Sequence, residues 1–146
     1  MDSHISAVLA DLKPRFHHVA VAVRSIEKAL DFYTRILGFE VLDAPVEVVP
    51  QHVRVCFVRA EPGVRIELVE GLDENSPVEQ ILTRVGAGTY HICYEVNNLD
   101  EAVTRLRREK CRLIQSFEMP DMELRHFAFL LSPERRLFEL CQSAGG

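Results

Sequence analysis

The chain has 146 residues, of which 47% are hydrophobic and 27% charged, enough for one compact globular domain with a hydrophobic core. Its formal net charge of −5 argues against a nucleic-acid partner. No hydrophobic run approaches the length of a membrane span, and the N-terminal residues lack the basic region and the cleavage site of a signal peptide. We therefore expect a cytoplasmic protein with no membrane partner.

The first half of the chain is predicted to form a strand, a helix and three further strands. The first strand, over about 16–23, begins with two histidines. Because side chains alternate along a strand, we expect His18 to face a site and His17 to face the opposite side, toward a helix. The helix begins after Ser25, a good N-cap residue, and ends at Gly38, where a left-handed conformation is favoured. Three strands follow, near residues 39–43, 53–60 and 64–70.

A spacer and a second half complete the chain. Ser76 and Pro77 suit the N-cap and the first residue of a short helix in the spacer, about 71–87. The second half is predicted to form a strand, a helix and three strands, near residues 89–96, 98–110, 112–117, 125–131 and 136–142. This helix carries a basic run that we interpret as a solvent-exposed face, made of Arg105, Arg107, Arg108 and Lys110. A short helix is also predicted before Pro14.

The four cysteines form no CxxC pair, so neither a zinc knuckle nor a redox motif is predicted. Each lies in or beside a predicted strand, at Cys56, Cys93, Cys111 and Cys141. We expect reduced, buried thiols that pack as small hydrophobic side chains.

The two halves are related by an internal repeat. The segment HVAVAVRSIEKALDFYTRIL, from His18, resembles HICYEVNNLDEAVTRLRREK, from His91, at an offset of 73 residues. The segment VCFVRAEPGVRIELVE, from Val55, resembles FAFLLSPERRLFELCQ, from Phe127, at an offset of 72 residues. Two segments that repeat at nearly the same spacing indicate two similar βαβββ modules.

The repeat places four side chains with metal-binding groups at equivalent positions. His18 corresponds to His91, and Glu67 corresponds to Glu139. A lone histidine at a strand end is usually structural, but four matched residues in two paired modules can converge in one cleft. Two imidazoles and two carboxylates suit a divalent ion such as zinc, cobalt, nickel, iron or manganese. Small residues follow the histidines on the same face, at Ala20, Ala22 and Cys93, and would leave room for a ligand.

Several segments resemble those of the vicinal oxygen chelate superfamily, and within it those of methylmalonyl-CoA epimerases. These segments are HVAVAV, DFYTRILGF, VRIELVEGLDENSPVEQIL and YHICYEVNNLDEAV, and the resemblance extends from about Phe16 to Gln142. It implies an α+β fold in a single domain over 1–146, in which modules at about 16–70 and 88–142 form a cupped mixed sheet around a metal site. The family's metal ligands would fall on the four residues that the repeat indicates. Related proteins are often dimers, so a homodimer is expected.

The resemblance also implies an enzyme that moves a proton next to a thioester carbonyl of an acyl-CoA. A metal ion bound to two neighbouring substrate oxygens would stabilise the enolate, while one carboxylate removes the α-proton and another group returns it. Glu139 is the candidate for one of these roles. Epimerases usually carry a second acid in a Pro-Glu-(Gln/His)-Gly stretch, where this chain has Pro50 and Gln51, and Glu47 is the nearest substitute. The family's HGK-type loop and paired glycines are replaced by MPDMELRHF and SPERRLF.

Three alternatives share the same resemblance. Glyoxalase I uses this ligand order, isomerises a glutathione hemithioacetal with a metal-bound glutamate as base, and needs no acid at Gln51. Glyoxalases commonly carry an arginine four residues after the first metal histidine, however, and the residue here is Ala22. An extradiol dioxygenase would bind iron(II) with two histidines and one glutamate, and a fourth carboxylate would block the position that oxygen needs. A drug-binding resistance protein of this fold needs no metal, so the intact ligand residues argue against it.

Overall fold

The computed structural model describes residues 7–60, 62–84, 86, 88–119 and 124–143. The chain divides into two compact units. The first unit consists of His17–His91, and the second unit consists of the residues up to Phe16 together with those from Ile92 onward. The predicted spacer helix thus belongs to the first unit, and the N-terminal segment belongs to the second. The segment MPDMELRHF lies partly outside the described residues.

The first unit is built on a mixed sheet. Its strands are β1 (Arg15–Ala22), whose first two residues belong to the second unit, β2 (Glu40–Val41), β3 (Val46–Val48), β4 (Val53–Arg59) and β5 (Arg65–Gly71). They lie in the order β2-β4-β5-β1, with β3 also paired to β4. β1 and β5 are parallel, and the other pairs are antiparallel. β3 and the 3₁₀ turn after it, Val49–Gln51, are additions to the predicted elements.

Helix α1 (Ile26–Leu30) covers one face of this sheet and continues as a π-helical turn over Asp31–Ile36. The expected start and end are confirmed, since the Ser25 hydroxyl caps the helix and Gly38 has a φ of 76°. The expectation of a regular α-helix was wrong for the second half. The Thr34 hydroxyl donates to the carbonyl of Leu30 at 2.7 Å and competes with the main-chain bond there. The core under α1 consists of Val23, Ile26, Cys56, Val58 and Leu68.

The spacer forms helix α2 (Pro77–Arg84), as predicted. Its buried side chains are Val78 and Leu82. The guanidinium of Arg24 donates to the carbonyl of Leu82 at 3.2 Å and so ties α2 to the turn after β1.

The second unit contains a sheet in the order β6-β9-β8-β7. The strands are β6 (Gly88–Glu95), whose first residues belong to the first unit, β7 (Arg112–Glu118), β8 (Leu124–Leu131) and β9 (Leu137–Ser143). Helix α3 (Leu99–Arg108) packs on this sheet, and a 3₁₀ turn, Ala10–Leu12, joins its core. Within the basic run, Arg105 is held by Asp11 at 2.6 Å and by Glu101 at 2.8 Å, whereas the remaining three residues are exposed as expected.

The repeat is confirmed down to the register of the strands. In the first unit, Glu67 lies opposite Ala20 on the parallel neighbour and opposite Phe57 on the antiparallel one. In the second unit, Glu139 holds the same place, with Cys93 and Phe129 as its two neighbours. Both predicted carboxylate ligands therefore come from the same position of the same motif.

The helix caps repeat as well. The main-chain N–H of Ile26 donates to Oε1 of Glu70 at 2.8 Å, and that of Leu99 donates to Oε1 of Gln142 at 2.7 Å. These bonds satisfy one of the amides that a helix N-terminus leaves without a partner inside the helix. In each unit the strand that carries the predicted glutamate ligand is thereby fixed to the helix behind it.

The fold class and the state of the cysteines agree with the predictions. Both sheets mix parallel and antiparallel pairs and pack against helices, as expected for an α+β protein. The four cysteines are free thiols, buried except for the half-buried Cys111. Among the described residues, no helix is long and apolar enough to span a membrane.

Candidate metal site

Three of the four predicted ligands lie together in the first unit. His18 on β1 and His91 on β6 direct their Nε2 atoms at the same oxygen, Oε1 of Glu67 on β5. The distances are 3.3 Å from His18 and 3.8 Å from His91. The centroids of the two imidazole rings are 5.8 Å apart.

These donors are shielded from water. His18 and His91 are 1% and 4% exposed, and the side chain of Glu67 is 14% exposed. Because side chains alternate along strands, His18 and Ala20 share one face of β1, and the register places Glu67 on that same face. The opposite face packs against α1, so the three donors lie on the side of the sheet away from the helix.

The three residues fit a divalent ion. Two ligands bound at about 2.1 Å to one ion are about 3.0 Å apart in octahedral and about 3.4 Å apart in tetrahedral geometry. The observed separations of 3.3 and 3.8 Å therefore need shifts of only a few tenths of an ångström. Neutral imidazole nitrogens with a carboxylate oxygen also form the donor set that first-row metal ions accept.

The expectation that His17 faces the opposite side is wrong. Its Nδ1 atom lies 2.8 Å from Nδ1 of His18, and the two rings meet edge to face with centroids 5.1 Å apart. His17 is only 8% exposed. The regular parallel register of β1 with β5 is recorded from Val19 onward, and the carbonyl of His17 accepts a hydrogen bond from Arg65 at 3.3 Å. The side chains of these two neighbouring residues therefore meet at the start of β1.

Glu139, the fourth predicted ligand, lies on β9 of the second unit. Only 4% of it is exposed, and the strand register places it between Cys93 and Phe129. A carboxylate so far removed from water requires a partner that compensates for its desolvation.

The substitute acid Glu47 lies on β3, exposed and opposite Arg54 of β4. This pairing places Glu47 on the face that carries α1, because Arg54 and Phe57 point to opposite sides of β4. Arg54 donates to Glu27 of α1 at 2.5 Å, and this bond lowers the pKa of the Glu27 carboxyl. Gln51 is 9% exposed and ends the 3₁₀ turn before β4. Glu47 therefore lies away from the three donors of the first unit.

Sequence reasoning missed two side chains that pack around His18. The ring of Phe57 meets the ring of His18 edge to face, with centroids 5.1 Å apart. Arg65 lies two residues before Glu67 on the same face of β5 and holds the His17 backbone. The sequence could have identified Phe57 and Arg65 once β4 was paired with β5. Alternation of side chains along these strands places both residues on the same face as Glu67.

The sequence of this chain matches a known family over most of its length. The model of the Glyoxalase/Bleomycin resistance protein/Dioxygenase superfamily matches residues 17–129. The chain belongs to this superfamily. The resemblance inferred from the sequence segments is therefore confirmed.

Members of the superfamily with similar sequences or structures include epimerases. The uncharacterized protein YqjC of Bacillus subtilis (strain 168) is 35% identical over 133 residues, covering 90% of this chain and 94% of the relative. The mitochondrial methylmalonyl-CoA epimerase of Homo sapiens is 41% identical over 100 residues, covering 67% of this chain and 55% of the relative, so the match spans about half of the human protein. A variant of Streptomyces coelicolor methylmalonyl-CoA epimerase in complex with 2-nitronate-propionyl-CoA aligns with a TM-score of 0.76 at 26% identity, covering 89% of this chain and 97% of that one.

Proposed function

We propose that the protein is a divalent-metal-dependent isomerase that moves a proton next to a thioester carbonyl, with an acyl-CoA as its substrate. The observation that carries this proposal is the convergence of His18 and His91 on one carboxylate oxygen of Glu67. Support comes from the human epimerase at 41% identity and from the likeness to an epimerase solved with an acyl-CoA analogue.

His18, Glu67 and His91 would hold the ion, and Glu139 would complete the set. The repeat supports Glu139, since it occupies in the second unit the position that Glu67 occupies in the first. Zinc, cobalt, nickel, manganese and iron all accept two imidazoles and two carboxylates. When bound, the ion would supply Lewis-acid stabilisation of negative charge on substrate oxygens.

The chain's own residues would bind the substrate and move its proton. Glu139 would accept the α-proton through a carboxylate oxygen, because its burial removes competing water and strengthens its electrostatic interactions. Ala20 and Cys93, opposite the two glutamates in the register, add little bulk beside them. Glu47 is the sequence's candidate for returning the proton. Because the pairing of β3 with β4 places it on the face of the sheet that carries α1, we expect Glu47→Gln to leave the exchange rate unchanged, and a slower rate would restore Glu47 to the mechanism. A cytoplasmic homodimer completes the proposal.

The test is proton NMR in heavy water with cobalt-loaded protein and methylmalonyl-CoA. The α-proton signal should disappear at a rate proportional to the protein concentration, and Glu139→Ala should abolish this loss. Because that variant could also lose the ion, its cobalt content is measured by elemental analysis beside the wild type. A rate no higher than that of cobalt alone would refute the proposal.

Glyoxalase I chemistry is the second candidate, and one observation favours it. Position 51 holds an amide, and Glu47 lies on the helix side of the sheet, so the first unit offers no second acid beside its three donors among the described residues. An isomerisation that uses a metal-bound glutamate as its base needs no such acid. Turnover of the hemithioacetal of methylglyoxal and glutathione, without washout from methylmalonyl-CoA, would select this activity. Binding of ligands without turnover of either would instead indicate a resistance-type binding protein.

A further inference from the structure

We infer that His17 is a positioning residue: it fixes the ring tautomer of His18 and so presents the Nε2 lone pair of His18 to the metal ion. This inference rests on the proposed metal site and adds a residue to it. The two Nδ1 atoms lie 2.8 Å apart, a hydrogen-bond distance, and both side chains are buried.

The hydrogen bond leaves one consistent arrangement of protons. Two ring nitrogens at this distance need one proton between them, because two lone pairs or two N–H groups would repel each other. If Nε2 of His18 binds the ion, its lone pair must be free, and the single proton of the neutral ring then lies on Nδ1. Nδ1 of His18 therefore donates, Nδ1 of His17 accepts, and His17 carries its own proton on Nε2. Metal-bound histidines generally donate their second ring nitrogen in this way to a group that orients them.

The neighbourhood holds both rings in this arrangement. Phe57 meets His18 and His17 edge to face, with centroids 5.1 and 6.4 Å away. Arg65 donates to the carbonyl of His17 at 3.3 Å and anchors the backbone at this residue. The acceptor is thus fixed by both its backbone and its ring, as a positioning group must be to orient a ligand.

The repeat places no second histidine at the position equivalent to His17. The residue equivalent to His17 is Tyr90, and its ring lies against His91 with centroids 4.7 Å apart. Tyrosine carries a phenolic oxygen instead of ring nitrogens, so the contact between two Nδ1 atoms belongs to His17 and His18. The two predicted ligands His18 and His91 thus occupy equivalent positions of the repeat, whereas His17 has no equivalent histidine in the second half.

The test compares two substitutions of His17. His17→Asn keeps an oxygen acceptor close to the place of Nδ1, whereas His17→Phe keeps the ring and removes the acceptor. His17→Phe should weaken cobalt binding about 10- to 100-fold, the usual effect of losing an orienting partner. His17→Asn should restore affinity to within about threefold of the wild type, since its oxygen accepts the same proton. Isothermal titration calorimetry gives the affinities, and His17→Leu replaces His17→Phe if the latter does not fold.

A second readout needs no metal. Long-range proton–nitrogen correlation spectra of histidine-labelled apo protein at pH 8 report which nitrogen of each ring carries the proton. Wild type and His17→Asn should show His18 protonated on Nδ1, and His17→Phe should shift it toward the Nε2-protonated form. Protonation of His18 on Nε2 in the wild type, or equal cobalt affinities of His17→Phe and wild type, would overturn the inference. If the apo spectra agree but the wild type binds no cobalt, the tautomer assignment stands and the proposed metal-dependent function fails.

Discussion

Replacing Glu67 with leucine is expected to remove most of the stabilisation that a divalent ion gives the protein. Oε1 of Glu67 is the oxygen that the Nε2 atoms of His18 and His91 face, at 3.3 and 3.8 Å. An ion that binds only the folded state stabilises it by about 2.7 kcal/mol when its free concentration is 100 times the Kd. For a chain of this size, 1 kcal/mol corresponds to about 3 °C in Tm. Cobalt at that concentration should therefore raise the Tm of the wild type by about 8 °C.

The leucine variant should show a much smaller shift. If loss of the carboxylate weakens binding about 100-fold, the same cobalt concentration stabilises the fold by only about 0.4 kcal/mol, or about 1 °C. Differential scanning calorimetry with cobalt, against a chelator baseline, measures both shifts. Glu47→Leu is the matched control, because Glu47 is exposed on the opposite face of the same sheet and should keep the full shift. A full shift in Glu67→Leu would place the ion elsewhere, and no shift in the wild type would refute the site.

Three further predictions concern the stability of the second unit and the reactivity of a buried thiol in the first. Gln142→Ala removes the acceptor that lies 2.7 Å from the Leu99 N–H and should lower the free energy of unfolding by about 1–2 kcal/mol in urea titrations; an unchanged midpoint would contradict this. The hydrogen bond from Arg105 lowers the pKa of Asp11 in the folded protein. The pair therefore contributes fully to folding stability above the unfolded-state pKa of Asp11, near 3.8, and this contribution is lost as the pH falls through the folded-state pKa. The protection factors for hydrogen exchange in the Ala10–Leu12 turn, which correct for the intrinsic pH dependence of exchange, should fall in this pH range, and Arg105→Gln should remove that fall. Burial raises the pKa of the Cys56 thiol, so its alkylation by iodoacetamide at pH 8 should be at least about tenfold slower than that of an unfolded control, and equal rates would oppose it.

The sequence predicts most of the fold because the signals are local and occur twice. The strand before Ser25 and the strand before Asn98 each lead into a helix capped by that side chain, as the structure shows. The offsets of 73 and 72 residues reappear as the same register in both units, with Ala20 opposite Glu67 and Cys93 opposite Glu139. Local pattern and tertiary pairing agree here, so the elements could be placed to within one or two residues.

Three predictions that rested on local rules differ from the structure. Alternation along β1 predicted that His17 faces away from His18, but a 2.8 Å contact between their ring nitrogens joins them. Helical periodicity after Leu30 predicted a regular α-helix, but residues Asp31–Ile36 form a π-helical turn. Proximity in sequence suggested Glu47 as a substitute for the missing acid, but the pairing of β3 with β4 places it on the helix side. The position of Glu47 is decided by a strand pairing, which no local pattern records.

The repeat preserves geometry more strictly than it preserves charge. Glu70 and Gln142 hold equivalent positions and accept equivalent helix amides, at 2.8 and 2.7 Å, yet one is an anion and the other is neutral. Their cross-strand partners differ in the same sense, since Arg54 lies opposite Glu70 and His126 lies opposite Gln142. The Glu70 carboxylate is stabilised both by the helix dipole and by the positive charge of the neighbouring arginine. The Gln142 amide has a similar shape and makes the same hydrogen bond to the helix without a charge. The two units therefore differ in charge at this position and at its cross-strand partner, but both keep the hydrogen bond that fixes the strand to the helix. Residues at equivalent positions of the repeat thus have the same structural role. A residue such as His17, whose equivalent is not a histidine, points to a role that belongs to one unit alone.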